Sequence, residues 1–260
     1  MVGERARCYR YADVVKRVLE GKISLVTGGS RGIGAVTAVK LAEAGSDLVL
    51  NYRSKGARAE EVAEKIRMLG TQAVTMQADL TENSELAAMM GLIKQIFGQL
   101  DVLILNASGG LEKGKAEDYA MMLNRTAQLE TARLSAELMP TGGRIVFVTS
   151  HWAHFHGTKP GIAGYEIVAK SKRAGEDALR AYGGELNNRG ISLIVVSGDV
   201  IEGTITPRLL ERENPGVIAD RRRNTNGLPT VDEFARAIAD AAMDPALMSG
   251  DTVFVGSTEW

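Results

Sequence analysis

The stretch Ile23-Ser24-Leu25-Val26-Thr27-Gly28-Gly29-Ser30-Arg31-Gly32-Ile33-Gly34 runs from an apolar segment into a glycine-rich turn. Ile23–Thr27 has the continuous apolar character of a strand covered on both faces, and a helical pattern, Gly34–Ala44, follows the turn at once. Glycines at such a turn let the backbone bend tightly and approach a pyrophosphate, while the helix N-terminus presents free N–H groups and a positive dipole. Glycine also serves ordinary turns, so the motif says little alone. Its position after the first strand of an alternating chain points to a nucleotide site.

Moving outward, apolar runs recur at Asp47–Asn51, Ala73–Ala78, Val102–Asn106, Arg144–Thr149, Ile191–Ser197 and Thr252–Val255. Helical patterns fill the intervals: Ala57–Leu69, Ser84–Phe97, Ala116–Leu138, Ile162–Asn187 and Val231–Met243. Gly45 and Gly70 stop the first two helices as C′ glycines do. Strand–helix alternation without internal repeats or a low-complexity linker predicts α/β architecture. The expected form is a single Rossmann-type doubly wound domain, a mostly seven-stranded parallel sheet with helices on both faces. The domain is expected over 21–260, behind an N-terminal extension over 1–20.

Composition narrows the classes. A chain of 260 residues, 45% hydrophobic, suits one large domain with a substantial core, although length alone would also permit two small ones. A formal net charge of −1 argues against nucleic acid as a partner, because duplex binding wants a basic face. The single cysteine, Cys8, excludes an internal disulfide framework and a Cys-based metal site, and is compatible with a reducing cytoplasm. No apolar run reaches the 18 or so residues of a membrane span, and Met1–Leu19 lacks the apolar middle of a secretory signal. The expected location is cytoplasmic, away from membranes.

The turn Thr27–Gly34 resembles the T-G-x-x-x-G-x-G motif of the short-chain dehydrogenase/reductase family, and three further matches follow in order. Ala78-Asp79-Leu80 closes the third strand, where the family places an acid near the adenine ring. Asn106-Ala107-Ser108-Gly109 closes the fourth and is similar to the family's N-N-A-G. Asn124, in Leu123-Asn124-Arg125, falls on the next helix like the family's asparagine that supports a proton relay. Singly, an Asp reads equally well as a helix cap and an Asn as a turn former; four matches in order weigh more. The resemblance covers about residues 21–257. It implies a nicotinamide nucleotide held by Gly28, Ser30, Arg31, Gly32, Ile33, Gly34, Asp79, Leu80, Asn106, Ala107 and Ser108.

Charge distinguishes the two nicotinamide cofactors. An NAD site usually ends the second strand with an acid that accepts from the ribose hydroxyls and repels a 2′-phosphate. Here the strand ends Leu50-Asn51-Tyr52-Arg53-Ser54, without an acid and with a guanidinium suited to phosphate. Arg31 adds a second cation. Either arginine alone reads as a solvated charge; with the acid missing, the pair favours NADP (NADPH).

The fifth strand runs into Ser150, and Tyr165, Lys170 and Lys172 follow. The family's Y-x-x-x-K spacing is absent: Val168 stands four before Lys172, and Ala169 four after Tyr165. A seven-residue helical step rotates roughly 700°, within about 20° of two full turns, so Tyr165 and Lys172 can share a face; the five-residue step to Lys170 rotates roughly 500°. The seven-residue spacing is similar to that of the family's enoyl-thioester reductase branch. Tyr165 is therefore expected to pass the proton, with its pKa lowered by a nearby ammonium. Ser150 is expected to hold the same oxygen, Lys172 to hold the nicotinamide ribose as well, and Asn124 to support the relay. A core tyrosine with two surface lysines is the ordinary alternative.

Other positions depart from the pattern. The family's Pro-Gly is Ser197-Gly198 here, its following threonine is displaced to Thr204, and the backbone at Val200 is expected to meet the carboxamide. His151, His154 and His156 cluster with Trp152 and Phe155; no carboxylate completes a metal set nearby, so the expectation is no metal and an aromatic wall facing substrate. Arg221-Arg222-Arg223 lies in the segment, around 200–228, that covers the site in this family. It reads as a solvated face or as a contact for phosphate on a carrier or coenzyme A substrate. The leading expectation is NADPH-dependent reduction of a carbonyl on a small to medium, moderately apolar substrate. Enoyl-thioester reduction stands second, against which the ordinary glycine turn argues, and a non-catalytic NADP-binding sensor third. The resemblance further implies a homodimer or homotetramer, paired through the helices of Ala116–Leu138 and Ile162–Asn187.

Overall fold

The computed structural model describes residues 17–111, 118–225 and 227–259. Seven strands, β1 (Ile23–Val26), β2 (Asp47–Tyr52), β3 (Ala73–Gln77), β4 (Val102–Leu105), β5 (Arg144–Ser150), β6 (Ser192–Gly198) and β7 (Thr252–Val255), form one sheet in the order β3-β2-β1-β4-β5-β6-β7. Every neighbouring pair is parallel. The α/β doubly wound architecture expected from the alternation is therefore present.

The apolar runs sort by the two-residue period of a strand. Leu25, Leu103 and Leu105 enter one core with helices α3 (Asn83–Phe97), α5 (Ala127–Ala136) and α7 (Glu166–Asn188). Their neighbours Val26, Val102 and Ile104 enter the opposite core with α1 (Gly32–Glu43), α2 (Gly56–Met68) and α10 (Val231–Met243). A sheet covered on both faces leaves polar openings only at the strand ends. After β3 the chain returns across the sheet, so β1 and β4 become neighbours whose connections leave in opposite directions, the place where open α/β sheets bind ligands.

Several boundaries differ from the expectation. The segment 162–187 is helical only from Glu166: Gly164 adopts φ +79°, and Tyr165 occupies the N-cap position. Within 116–138, residues 116–117 lie outside the described residues; the rest forms α4 (Tyr119–Met121), a π-helical turn (Met122–Thr126) and α5. Leu19, inside the expected 1–20 extension, is buried, and its N–H donates to Ala44 O at 2.9 Å. Residues 1–16, with Cys8, lie outside the described residues. The segment around 200–228 contains two short helices, α8 (Ile205–Glu213) and α9 (Val217–Asn224). His151–His154 is a helical turn, α6, where a loop was expected.

Candidate functional site

At the carboxyl ends of the central strands lies a cleft of about 670 Å³. The turn after β1 forms one wall. Thr27 Oγ1 donates to Ile104 O (3.1 Å) and accepts from the N–H groups of Asn106 (2.9 Å) and Ala107 (3.0 Å), knitting β1 to β4. Asn106 Nδ2 donates to Thr27 O at 2.9 Å. Gly34 abuts this knot: a Cβ there would meet Gly28 O at 2.5 Å and Asn106 Nδ2 at 2.6 Å. Gly32 instead sits at φ +54° with nothing within 4 Å of a notional Cβ, so its bare backbone faces the open cleft. One glycine is needed for packing, the other for backbone access.

All of Gly28, Ser30, Arg31, Gly32, Ile33, Gly34, Arg53, Ser54, Asp79, Leu80, Asn106, Ala107, Ser108 and Val200 line this cleft, as do Ser150, Tyr165 and Lys172. Asn124 does not. It is buried in the π turn, where Oδ1 accepts from Gly109 N (3.1 Å) and Nδ2 donates to Gly109 O (2.8 Å) and Ser171 Oγ (2.9 Å). Its side chain thus braces the β4 turn against α7. Asp79 faces the cleft and also acts as a local cap, accepting from Thr81 N at 3.0 Å and Thr81 Oγ1 at 2.7 Å. Val200 N–H is already given to Asp199 Oδ1 at 2.7 Å, so the backbone donor expected for a carboxamide is occupied.

At one end of the cleft Ser150 Oγ and Tyr165 Oη lie 3.1 Å apart. Burial raises the Tyr165 phenol above its ordinary value, opposed by the hydrogen bond with Ser150; the lowering expected from a nearby ammonium is not found. Lys172 is buried in the same cleft, and burial lowers its pKa to about 8. Among the described residues its Nζ makes no hydrogen bond or ion pair. Lys170 is exposed.

At the other end Arg31, Arg53, Lys55 and Arg58 line the mouth beside Ser54. Lys55 and Arg58 were not singled out from sequence, although both follow Arg53 at the end of β2, where a basic run was the available signal. Arg53 Nη1 donates to Tyr119 Oη, with the guanidinium 5.7 Å from the ring centroid, so the arginine reaches across the cleft to α4.

The histidine cluster is arranged differently from the aromatic wall anticipated. Only Trp152 lines the cleft, edge-on to Tyr165 with ring centroids 5.9 Å apart. His151 is buried, hydrogen-bonded through Nδ1 to Ser197 Oγ (2.8 Å), and burial lowers its pKa to about 4. A carboxylate does reach His154: Glu176 Oε1 lies 2.9 Å from Nδ1 and also accepts from Arg180. Burial works against that charge, but His154 and Arg180 outweigh it and hold Glu176 below the usual carboxylate range. No group suited to a metal ion occurs among the described residues. The arginine run is not a simple solvated face either. Arg221 forms a buried pair with Asp199 (3.0 Å), Arg222 binds Glu202 (2.7 Å), and Arg223 binds Asp220.

The short chain dehydrogenase family profile matches residues 22–214. Among curated relatives, hydroxynaphthalene reductase arp2 of Aspergillus fumigatus is 34% identical over 187 residues, covering 69% of this chain and 66% of that protein. A short chain dehydrogenase from Burkholderia cenocepacia J2315 in complex with NADP superposes with a TM-score of 0.77 at 27% identity, covering 91% and 97% of the two chains. The angucycline C-6 ketoreductase LanV with bound NADP gives 0.75 at 27% identity, covering 92% and 96%. With its β1 turn, its β1–β4 switch point and this match over most of its length, the chain belongs to the short chain dehydrogenase family.

Proposed function

We propose that the protein is an NADPH-dependent reductase of a carbonyl group on a small to medium, moderately apolar substrate. The observation behind this reading is a single cleft with a Ser150–Tyr165 hydroxyl pair at one end and a basic, acid-free β2 mouth at the other. The residues fit the cofactor: Gly32 opens bare backbone where a pyrophosphate needs it, and Arg31, Arg53, Lys55 and Arg58 suit a 2′-phosphate. NADP in the two related structures supports the same choice.

NADPH bound there supplies the hydride. Tyr165, a phenol protonated at neutral pH whose pKa burial raises further, gives its proton to the carbonyl oxygen as negative charge develops. Ser150 donates a hydrogen bond to the same oxygen. Lys172, charged at neutral pH, stabilises the phenolate left behind and offers N–H donors to the ribose. Trp152, Ile201 and Ile205 make the substrate end apolar. The test is loss of NADPH absorbance with a panel of ketones and enoyl thioesters. The names of two relatives put fused-ring aromatic ketones first. Ketone turnover, faster with NADPH than NADH, is expected.

A second reading, enoyl-thioester reduction, is favoured by one observation: Tyr165 and Lys172 are buried in the cleft seven residues apart while Lys170 is exposed. Turnover confined to the enoyl thioesters would select it. Assembly as a homodimer or homotetramer belongs to the proposal too, supported by exposed Met122 and Ile167 on the packed π turn and α7.

A further inference from the structure

The segment of α8 and α9 bears a second concavity whose residues the reductase reading leaves unused. Between α8 and α9 lies a groove of about 550 Å³ lined by Pro207, Arg208, Glu211, Arg212, Ile218, Ala219 and Arg222. Arg208 and Arg212 stand one turn apart on α8, both exposed, and neither makes a hydrogen bond or ion pair among the described residues. The other charges that line the groove are committed. Glu211 is turned inward to cap α9, accepting from Gly216 N (2.6 Å) and Ile218 N (3.2 Å). Arg222 is held by Glu202 and Arg221 by Asp199.

Local charge makes the arrangement specific. Ile205 to Thr225 contains five arginines against three carboxylates, in a chain of net charge −1. The two uncommitted guanidiniums flank an apolar floor of Pro207, Ile218 and Ala219. Planar guanidiniums one turn apart suit a phosphate, and an apolar floor between them suits a flat base. The groove lies on the helix that also borders the reductase cleft, since Ile205 and Thr206 line the cleft and Pro207, the next residue of α8, lines the groove.

We propose that this groove binds the phosphate-bearing adenosine end of a coenzyme A thioester, leaving its acyl arm to run over α8 into the cleft. Arg208 and Arg212 meet the phosphates, and the adenine lies on Pro207, Ile218 and Ala219. This rests on the reading of the cleft as a reductase site but uses neither Ser150, Tyr165 nor Lys172.

The test is calorimetric titration of coenzyme A into protein saturated with NADPH, so that the nucleotide cleft is filled. Binding in the sub-millimolar range is expected, weakening with added salt, and at least about tenfold weaker in Arg208→Ala/Arg212→Ala. Pantetheine, which lacks the phosphates, should not bind. Unchanged NADPH affinity and ketone turnover in the double variant would show that its fold is intact. Equal coenzyme A affinity in wild type and variant, or no binding in wild type, overturns the proposal. Absence of turnover on ketones and enoyl thioesters alike overturns the reductase reading instead and leaves the titration fully readable.

Discussion

Lys170 and Lys172 differ in a way that helical geometry anticipates: the first is exposed, the second buried in the cleft with Tyr165. Tyr165→Phe is expected to leave NADPH binding intact and to lower turnover by about two orders of magnitude or more, the scale of a lost acid–base group. Lys172→Ala should lower both turnover and NADPH affinity, whereas Lys170→Ala should change neither. Because burial lowers the Lys172 pKa to about 8, the ammonium is lost as pH rises through that value, and turnover should fall with it. A pH–rate profile that stays level through the alkaline range contradicts this role. At the opposite end, Arg53→Asp replaces attraction to a 2′-phosphate by repulsion and should weaken NADPH binding far more than NADH binding, as fluorescence titration would show. Equal losses for the two cofactors argue that Arg53 serves only its contact with Tyr119.

The element that positions these groups is α7, and its seat is the π turn Met122–Thr126. π turns are rare and tend to occur at functional sites. Here the turn places Asn124 between Gly109 and Ser171, linking the end of β4 to the helix that holds Lys172. α7 passes so close that a Cβ on Gly175 would meet Asn124 O at 2.0 Å. Gly175→Ala should therefore force the two elements apart, costing about 1–3 kcal/mol in denaturant unfolding and slackening the Lys172 position enough to lower turnover. An alanine variant as stable as wild type would show that the turn yields. Helical periodicity announces a helix over 116–138 but not its local widening, and the turn's partners, Gly175 and the Gly109 backbone, are distant in the chain.

For the molecule as a whole, buried titratable groups set the pH range of stability. His151 is held neutral, its pKa lowered from 6.5 to about 4, so the unfolded chain binds more protons between those values. Stability should fall as pH drops from about 6.5 through about 4, and His151→Asn should flatten that limb in pH-dependent unfolding. Lys172 has the same sign at the alkaline end. Its folded pKa of about 8 lies below 10.5, so its buried charge opposes folding at neutral pH and the cost is relieved above about 8. Lys172→Met should thus gain stability at neutral pH, on the order of 3 kcal/mol, while abolishing activity. Assembly is the other property of the whole chain: sedimentation at micromolar concentration should show a dimer or tetramer, and a monomer refutes it.

The doubly wound sheet and the nucleotide turn could be read from residues alone, since β1 and β4 are apolar on both faces and Thr27–Gly34 combines a tight turn with a helix start. Most of the cleft-lining residues followed because they sit at strand ends, and strand ends of a parallel sheet share one edge; Tyr165 and Lys172 followed from their spacing at the start of α7. What escaped the sequence depends on partners far along the chain. Glu176 reaches His154 across 22 residues, Asp199 reaches Arg221 across 22 and Arg53 reaches Tyr119 across 66. Periodicity and propensity describe a residue's own element. Which charges neutralise one another, and which phenol is buried beside which hydroxyl, depends on how elements pack, and that is settled only when α6, α7, α8 and α9 pack around the strand ends.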